Sequence, residues 1–168
     1  MAGSNKVKLT VVTPVHCFYE DYVSSITLPS LDGEIGIMAG HSPLVFALSP
    51  GIAHIRIDSE LRHFVVSEGY DEVNPKMVLV VCDSAEWPED LDVQRVVEAL
   101  VESRDNLKRD RETGGRGIVA DEGARTAGYV EDSVKSLSRA RARVHTIEVY
   151  GTDAQKARLQ KCKAKYGI

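Results

Sequence analysis

The spacing of apolar residues changes once along this 168-residue chain, between residues 83 and 88. Before the change, from Val7 to Asp83, apolar and polar residues alternate, as in Ala53-His54-Ile55-Arg56-Ile57-Asp58. Alternation of this kind, interrupted at short intervals by turn residues, predicts half-buried strands of a β-sandwich or barrel-like domain over residues 1–88. The continuous apolar run Met77–Cys82 predicts a strand that is buried on both faces.

After the change, two apolar stripes have helical spacing. The first runs from Val93 to Leu107 and follows Pro88, Asp90 and Asp92, which favour a helix start. The second runs from Val130 through Val134 to Ile147. Together they predict an antiparallel helical hairpin over residues 89–150, with a long glycine-rich connection at 112–128. A basic C-terminal extension, residues 151–168, is expected to form a short helix with Asp153 as its cap.

Composition excludes several classes of protein. Apolar residues make up 43% of the chain, which is enough for a core. Neither a bilayer-length apolar run nor an N-terminal signal core is found, so we expect a protein of the cytoplasm. The three cysteines are far apart and the five histidines are scattered, which predicts reduced thiols, ordinary histidines and no metal site.

Catalytic motifs are also missing from the sequence. We find no nucleophile elbow and no Cys-His or Ser-His-Asp spacing, so we expect no catalytic residue and no enzymatic activity of the chain by itself. The net charge is −4, with an acidic first half and a basic second half. The basic tail leaves one alternative, a nucleic-acid- or protein-binding β-sandwich module, although few aromatic residues lie among its basic ones.

The segment from Gly33 to Leu44 reads Gly-Glu-Ile-Gly-Ile-Met-Ala-Gly-His-Ser-Pro-Leu. Three glycines and a proline among apolar residues indicate unusual backbone geometry in a partly buried place. The segment has no Gly-x-Gly-x-x-Gly before a helix and no Gly-Lys-Ser/Thr ending, so a phosphate-binding loop is disfavoured. The Gly33–Leu44 segment can be interpreted as two ordinary turns that join strands, or as a loop that contacts a partner protein.

This segment resembles the signature of the ε subunit of F-type ATP synthase, called δ in mitochondria. Pro50-Gly51, Ser67-Glu68-Gly69, Asp83-Ser84-Ala85 and Leu91-Asp92 support the resemblance, which covers roughly residues 6–148. It implies a β-sandwich followed by a helical hairpin. It also implies a non-catalytic rotor subunit of the central stalk that couples proton translocation through the c-ring to ATP synthesis. Such a subunit lies at the cytoplasmic face of the membrane, is held there only through the complex, and has no nucleic-acid partner.

The resemblance assigns contact residues by position. Gly33 and Glu34 fall in the region that faces the polar loops of the c-ring, where an exposed carboxylate can pair with basic groups. A solvated turn residue is the alternative for Glu34. The region facing the γ subunit contains Gly40, His41, Ser42 and Pro43.

In this family the helical hairpin either folds on the sandwich or extends toward the catalytic α and β subunits, where it restrains ATP hydrolysis. The resemblance implies that a basic face of the second helix, formed by Arg139, Arg141 and Arg143, contacts the catalytic β subunit in the extended state. A solvated helix face is the alternative interpretation of these arginines.

Some bacterial members also bind ATP through an Ile/Leu-Asp-x-x-Arg-Ala motif. This chain keeps Leu91-Asp92-Val93-Gln94-Arg95, but Val96 replaces the alanine, and Glu102 and Asn106 stand where basic residues are expected. We therefore expect no cofactor. The motif has two alternative roles: it binds ATP as a regulatory ligand, or Asp92 and Arg95 form a helix cap and an intrahelical ion pair. The corresponding ATP ligands would be Glu86, Asp92, Arg95, Arg139 and Arg143.

Overall fold

The computed structural model describes residues 5–112 and 126–168, which fall into two compact units on either side of the Asp90–Leu91 bond. The predicted glycine-rich connection at 112–128 lies mostly outside the described residues. At its two ends the chain is helical, because the first helix ends at Glu112 and the second begins at Thr126.

The described part of the first unit is a nearly closed ten-stranded sheet, which confirms the predicted β-sandwich or barrel-like domain. Its strands are β1 (Val7–Val12), β2 (Cys17–Val23), β3 (Ser25–Ser30), β4 (Gly33–Met38), β5 (Leu44–Leu48), β6 (Gly51–Ile57), β7 (Glu60–Val66), β8 (Gly69–Asn74), β9 (Met77–Cys82) and β10 (Ala85–Glu86). The strand order is β10-β7-β6-β3-β5-β8-β9-β1-β2, and β4 pairs with β3. Neighbouring strands are antiparallel except β1 and β9, which are parallel. A short 3₁₀ turn, Pro88–Asp90, follows.

One face of this sheet forms the core. The buried side chains alternate along each strand, as with Val7, Leu9 and Val11 of β1. β9 follows the same rule, so the prediction that it is buried on both faces was wrong. Val78, Val80 and Cys82 are buried, whereas Met77, Leu79 and Val81 are half-buried, because β1 and β8 cover only the lateral edges of β9.

Asp71 places a carboxyl group in this core. The residue is fully buried on β8, in register with Phe46 of β5 and Val80 of β9. Neither carboxyl oxygen has a hydrogen-bond partner among the described residues. Burial raises the pKa of Asp71 to about 8, and burial together with Asp71 raises the pKa of the Cys82 thiol to about 12. The Asp71 carboxyl therefore remains protonated at neutral pH.

The second unit contains three helices in its described part: α1 (Val93–Glu112), α2 (Thr126–Tyr150) and α3 (Asp153–Tyr166). Ser133 near the start of α2 donates a 2.5 Å hydrogen bond to Asp110 near the end of α1, so the two helices run antiparallel and the predicted hairpin is confirmed. The buried stripes contain Val93, Val96, Val97, Leu100 and Leu107 on α1, and Leu137, Ala140, Val144 and Ile147 on α2.

The apolar stripe predicted for α2 includes Val134, but the buried stripe observed on this helix does not. Val134 is 41% exposed, because it lies about 100° around the helix from the mean direction of the four buried stripe residues Leu137, Ala140, Val144 and Ile147. Val130 lies outside the described side chains. None of the helices in the described residues is long and apolar enough to cross a bilayer.

α3 packs on both other helices. Thr152, not Asp153, is its N-cap, in a capping box with Gln155. The Gln155 side chain also donates a 3.0 Å hydrogen bond to the carbonyl of Leu91, just before α1. Lys163 pairs with Glu148 of α2, and Leu159 is buried. The basic extension is therefore the third helix of the unit.

α1 begins with a side-chain cap. A carboxylate oxygen of Asp92 accepts a 2.9 Å hydrogen bond from the backbone N–H of Arg95. This hydrogen bond lowers the pKa of Asp92, and the nearby Arg158 lowers it further. Asp92 therefore has a structural role in the helical unit.

We predict that Asp71 makes the stability of the chain depend on pH. Because its folded-state pKa lies above the unfolded value of about 4, the folded protein binds this proton more tightly, and stability falls as pH rises from about 4 to about 8. Asp71→Asn should remove this decline, on the order of several kcal/mol, in urea unfolding measured between pH 5 and 8.5. Glu72→Gln, an exposed neighbour, is the matched control. Parallel stability profiles for the wild type and Asp71→Asn would contradict the prediction.

We also predict that Asp92→Ala lowers the melting temperature of the helical unit, because the N–H of Arg95 loses its acceptor. Asp92→Asn should restore most of the loss, since an asparagine oxygen still accepts this hydrogen bond. Circular dichroism at 222 nm measures both. If alanine and asparagine lower the melting temperature equally, charge and not capping is the contribution of Asp92.

Candidate functional site

The turn between β3 and β4 presents the first predicted contact residues. Gly33 has a φ of +131°, a conformation that favours glycine. The Ser30 hydroxyl donates a 2.8 Å hydrogen bond to the Gly33 carbonyl and accepts one of 3.3 Å from the N–H of Asp32. These bonds fix a tight hairpin end at which Leu31 is 77% exposed. Glu34 follows, exposed and in register with Pro29, and its carboxylate has no hydrogen bond or ion pair within the described residues.

The second predicted contact segment, Gly40–Pro43, joins β4 to β5. Gly40 has a φ of +82° and donates a 3.0 Å hydrogen bond to the carbonyl of Pro75. The His41 N–H donates to the carbonyl of Met38 at 3.1 Å. The Nδ1 of the His41 ring lies 2.8 Å from the Ser42 carbonyl, which can only accept, so Nδ1 carries the proton. This hydrogen bond fixes the His41 ring against the backbone of the Gly40–Pro43 segment.

The two segments lie at opposite ends of one strand. β4 begins at Gly33 and ends at Met38, and Gly40–Pro43 comes after that end. In an extended strand each residue adds about 3.3 Å, so Glu34 and His41 are separated by most of the length of β4. The structure therefore holds the two predicted contact segments apart and does not bring them into one site.

An exposed apolar surface adjoins Gly40–Pro43, and we call it the β5–β8 surface. Val45 is 68% exposed and Tyr70 is 51% exposed. Val45 is in register with Glu72 and Leu79, and Ala47 is in register with Tyr70 and Val81, all on the side of the sheet that faces away from the core. The β5–β8 surface consists of Val45, Ala47, Tyr70, Leu79 and Val81, and the Glu72 carboxylate lies on it between Val45 and Leu79.

Sequence reasoning missed the β5–β8 surface, although one signal was available. β5 reads Leu-Val-Phe-Ala-Leu, with no polar residue. A strand that buries one face must expose alternate residues, so a wholly apolar strand places apolar side chains on the outer face. Neighbouring exposed apolar side chains on one face of a sheet make that face a candidate for contact with another protein.

The three arginines of α2 do not share one face, so the implied basic face was wrong in this respect. Arg139 and Arg143 are four residues apart and lie on the same side of the helix. Arg141 lies about 200° around the helix from Arg139. One flat partner surface can therefore contact either the Arg139–Arg143 pair or Arg141.

The residues implied for ATP are divided between the units. Glu86 is in β10 of the first unit, whereas Asp92, Arg95, Arg139 and Arg143 are in the second. Because Asp92 already caps α1, its carboxylate oxygen is engaged by protein. The structure thus supports the helix-cap interpretation of Asp92.

Two of the histidines form a pair, which corrects the expectation that all five are scattered. His54 of β6 and His63 of β7 are cross-strand partners with their Nδ1 atoms 2.7 Å apart, so one ring donates and the other accepts. Burial lowers the pKa of His63, and His54 lowers it further. Their equal distances from the Asp58-Ser59 turn were the sequence signal for this pair.

Comparison with known proteins places these features in a family. The β-sandwich domain of the ATP synthase delta/epsilon chain matches residues 6–88. The ATP synthase epsilon chain of Alkaliphilus oremlandii is 39% identical over 92 residues, which are 55% of this chain and 69% of that one. The epsilon chain of Carboxydothermus hydrogenoformans is 35% identical over 106 residues, 63% of this chain and 79% of that one.

A solved structure supports the fold. A chain of the Euglena gracilis mitochondrial ATP synthase, in its OSCP/F1/c-ring structure, superposes with a TM-score of 0.63 at 22% identity. The superposition covers 83% of this chain and 79% of that chain. On the similarity to these epsilon chains and the match of its β-sandwich domain, the chain belongs to the ATP synthase epsilon chain family.

Proposed function

We infer that this chain is a non-catalytic subunit of the F-type ATP synthase central stalk. It couples proton translocation through the c-ring to ATP synthesis, and its C-terminal helices restrain ATP hydrolysis. The β5–β8 surface beside Gly40–Pro43, in a chain of this family, is the observation that carries this function. The complex holds the chain at the cytoplasmic face of the membrane. The alternative of a nucleic-acid-binding module is not favoured, because the relatives are ATP synthase subunits.

The γ subunit is the partner proposed for the β5–β8 surface together with Gly40, His41, Ser42 and Pro43. Val45 and Tyr70 provide apolar area that water covers in the isolated chain. The ordered loop around His41 adds backbone and ring groups at the border of that area. An apolar centre with a polar border is the usual composition of a stable protein interface.

The c-ring is the partner proposed for the β3–β4 turn. Leu31 projects from its end, and the carboxylate of Glu34 stands beside it without a partner in the described residues. A small apolar contact flanked by a negative charge suits the polar loops of the ring if those loops carry basic residues. Gly33 permits the backbone conformation that presents both side chains.

The catalytic β subunit is the partner proposed for the arginines of α2 when the helices extend. Arg139 and Arg143 share one side of α2, so they can act together on one acidic segment. Arg141 would contact a different part of the partner, because it lies on another side of the helix.

We predict that Val45→Glu combined with Tyr70→Glu weakens co-purification with γ at least about tenfold, because both substitutions place charge at the centre of the proposed interface. Leu61→Glu is the matched control, since Leu61 is 46% exposed on β7, outside the β5–β8 surface. Circular dichroism should show that all variants are folded. Equal losses for the control and the double variant would exclude this surface as the docking site.

We predict that a chain ending at Asp90 still assembles with the motor and that ATPase activity then rises roughly fivefold or more. The first unit has its own core, so it should retain the contacts with γ and the c-ring. ATPase rates of complexes reconstituted with the full and shortened chains provide the measurement. Loss of assembly would show that the helices have a structural role and not a regulatory one.

A further inference from the structure

A cleft of about 610 Å³ lies within the helical unit. Its walls come from the second half of α1, from α2 and from the residues that end α3. Cavities of this size hold small organic ligands in proteins. None of the residues implied for ATP lines it, so this is a separate site; we call it the helix cleft.

α3 forms the third wall of the helix cleft through a fixed turn. Gly167 has a φ of +67°, which ends α3 in a left-handed cap. The N–H of Ile168 donates a 3.1 Å hydrogen bond to the carbonyl of Lys163, and the Tyr166 hydroxyl lies 3.4 Å from a carboxylate oxygen of Glu98 on α1. These contacts place Tyr166 and Ile168 on the cleft.

One side of the helix cleft is cationic. Arg104, Lys108 and Arg111 follow each other on α1 at spacings of four and three residues, so they share one side of that helix. Arg141 of α2 adds a fourth positive charge. Only Lys108 has an ion pair here, with Glu112 at 3.8 Å; the three guanidinium groups have no hydrogen bond or ion pair within the described part of the chain.

Positive charge is therefore in excess at the cleft. The lining contains four cationic side chains and two carboxylates, those of Asp105 and Glu112. Guanidinium groups bind carboxylate, sulfate and phosphate oxygens through paired N–H groups. An anion at this place would relieve the repulsion among the arginines.

The rest of the cleft is apolar. Leu107 and Leu137 are buried members of the α1 and α2 stripes, and the cleft reaches their outer edges. Val101, Tyr166 and Ile168 complete this wall. A simple inorganic anion would leave the apolar wall uncovered, whereas an alkyl or aryl group would cover it.

We propose that the helix cleft binds a small amphipathic organic anion, with its acidic head on Arg104, Arg111 and Arg141 and its alkyl or aryl body against Leu137, Tyr166 and Ile168. Because the site needs all three helices, a bound anion stabilises their assembly, and the stabilisation grows with the logarithm of the anion concentration once this exceeds Kd. The proposal concerns the chain alone and does not depend on its assembly into ATP synthase.

The test is titration of the full chain with octanoate, followed by calorimetry and by methyl NMR. We expect saturable binding with shifts at Leu107, Leu137 and Ile168. Octanol, which has no charge, and sulfate, which has no apolar body, should each bind at least about tenfold more weakly. Equal binding of octanol would overturn the proposal, as would failure of octanoate to bind saturably. Association with phosphatidylglycerol vesicles but not with octanoate would overturn it in favour of a membrane surface.

Substitutions test the location of the charge. Arg104→Gln with Arg111→Gln should weaken octanoate binding at least about tenfold. Arg109 lies on another side of α1 and does not line the cleft, so Arg109→Gln, which removes one positive charge, should leave binding unchanged. Equal effects of the control and the double variant would overturn the proposal. If circular dichroism shows that the double variant has lost helix, Arg141→Gln alone provides the same comparison.

Discussion

Burial of one face of a nearly closed sheet is the constraint on which the first unit depends. Each strand gives alternate side chains to the core, so the remaining residues must face outward whether they are polar or apolar. This rule puts Val78 and Val80 inside, leaves Val45 and Tyr70 outside, and places the Asp71 carboxyl among apolar groups. The exposed β5–β8 surface and the buried acid are thus two results of one strand periodicity.

The arrangement of β4 and the loops at its two ends supports the proposed contacts with two partners. The two regions that the family signature brings together in sequence are held apart by β4, with a tight turn at one end and the ordered His41 loop at the other. A six-residue strand between the two predicted contact segments suits the proposed role of a subunit that touches two neighbours at once. The positive φ angles of Gly33 and Gly40 show why glycine is required at the two ends.

The helical unit depends on the apolar interface between α1 and α2, and α3 adds polar contacts to both helices. The buried stripe of α2 consists of Leu137, Ala140, Val144 and Ile147, and its alanine and valine bury less apolar area than leucines would. Gln155 and Lys163 of α3 tie the start of α1 and the end of α2 together. The end of α3 also forms one wall of the helix cleft. The C-terminal extension therefore stabilises the helical unit and completes a cleft of ligand size.

The sequence by itself determined the two kinds of structure, because strand and helix periodicities are local and repeat many times. It also carried the resemblance to the family, through the Gly33–Leu44 segment and the shorter matching motifs that follow it. It did not determine which residues meet across the fold. The pairing of His54 with His63, the isolation of Asp71, the exposure of Val134 and the separation of Arg141 from Arg139 all depend on strand register or helix rotation. Those are decided by tertiary packing, because only the complete core selects which face of each element is buried.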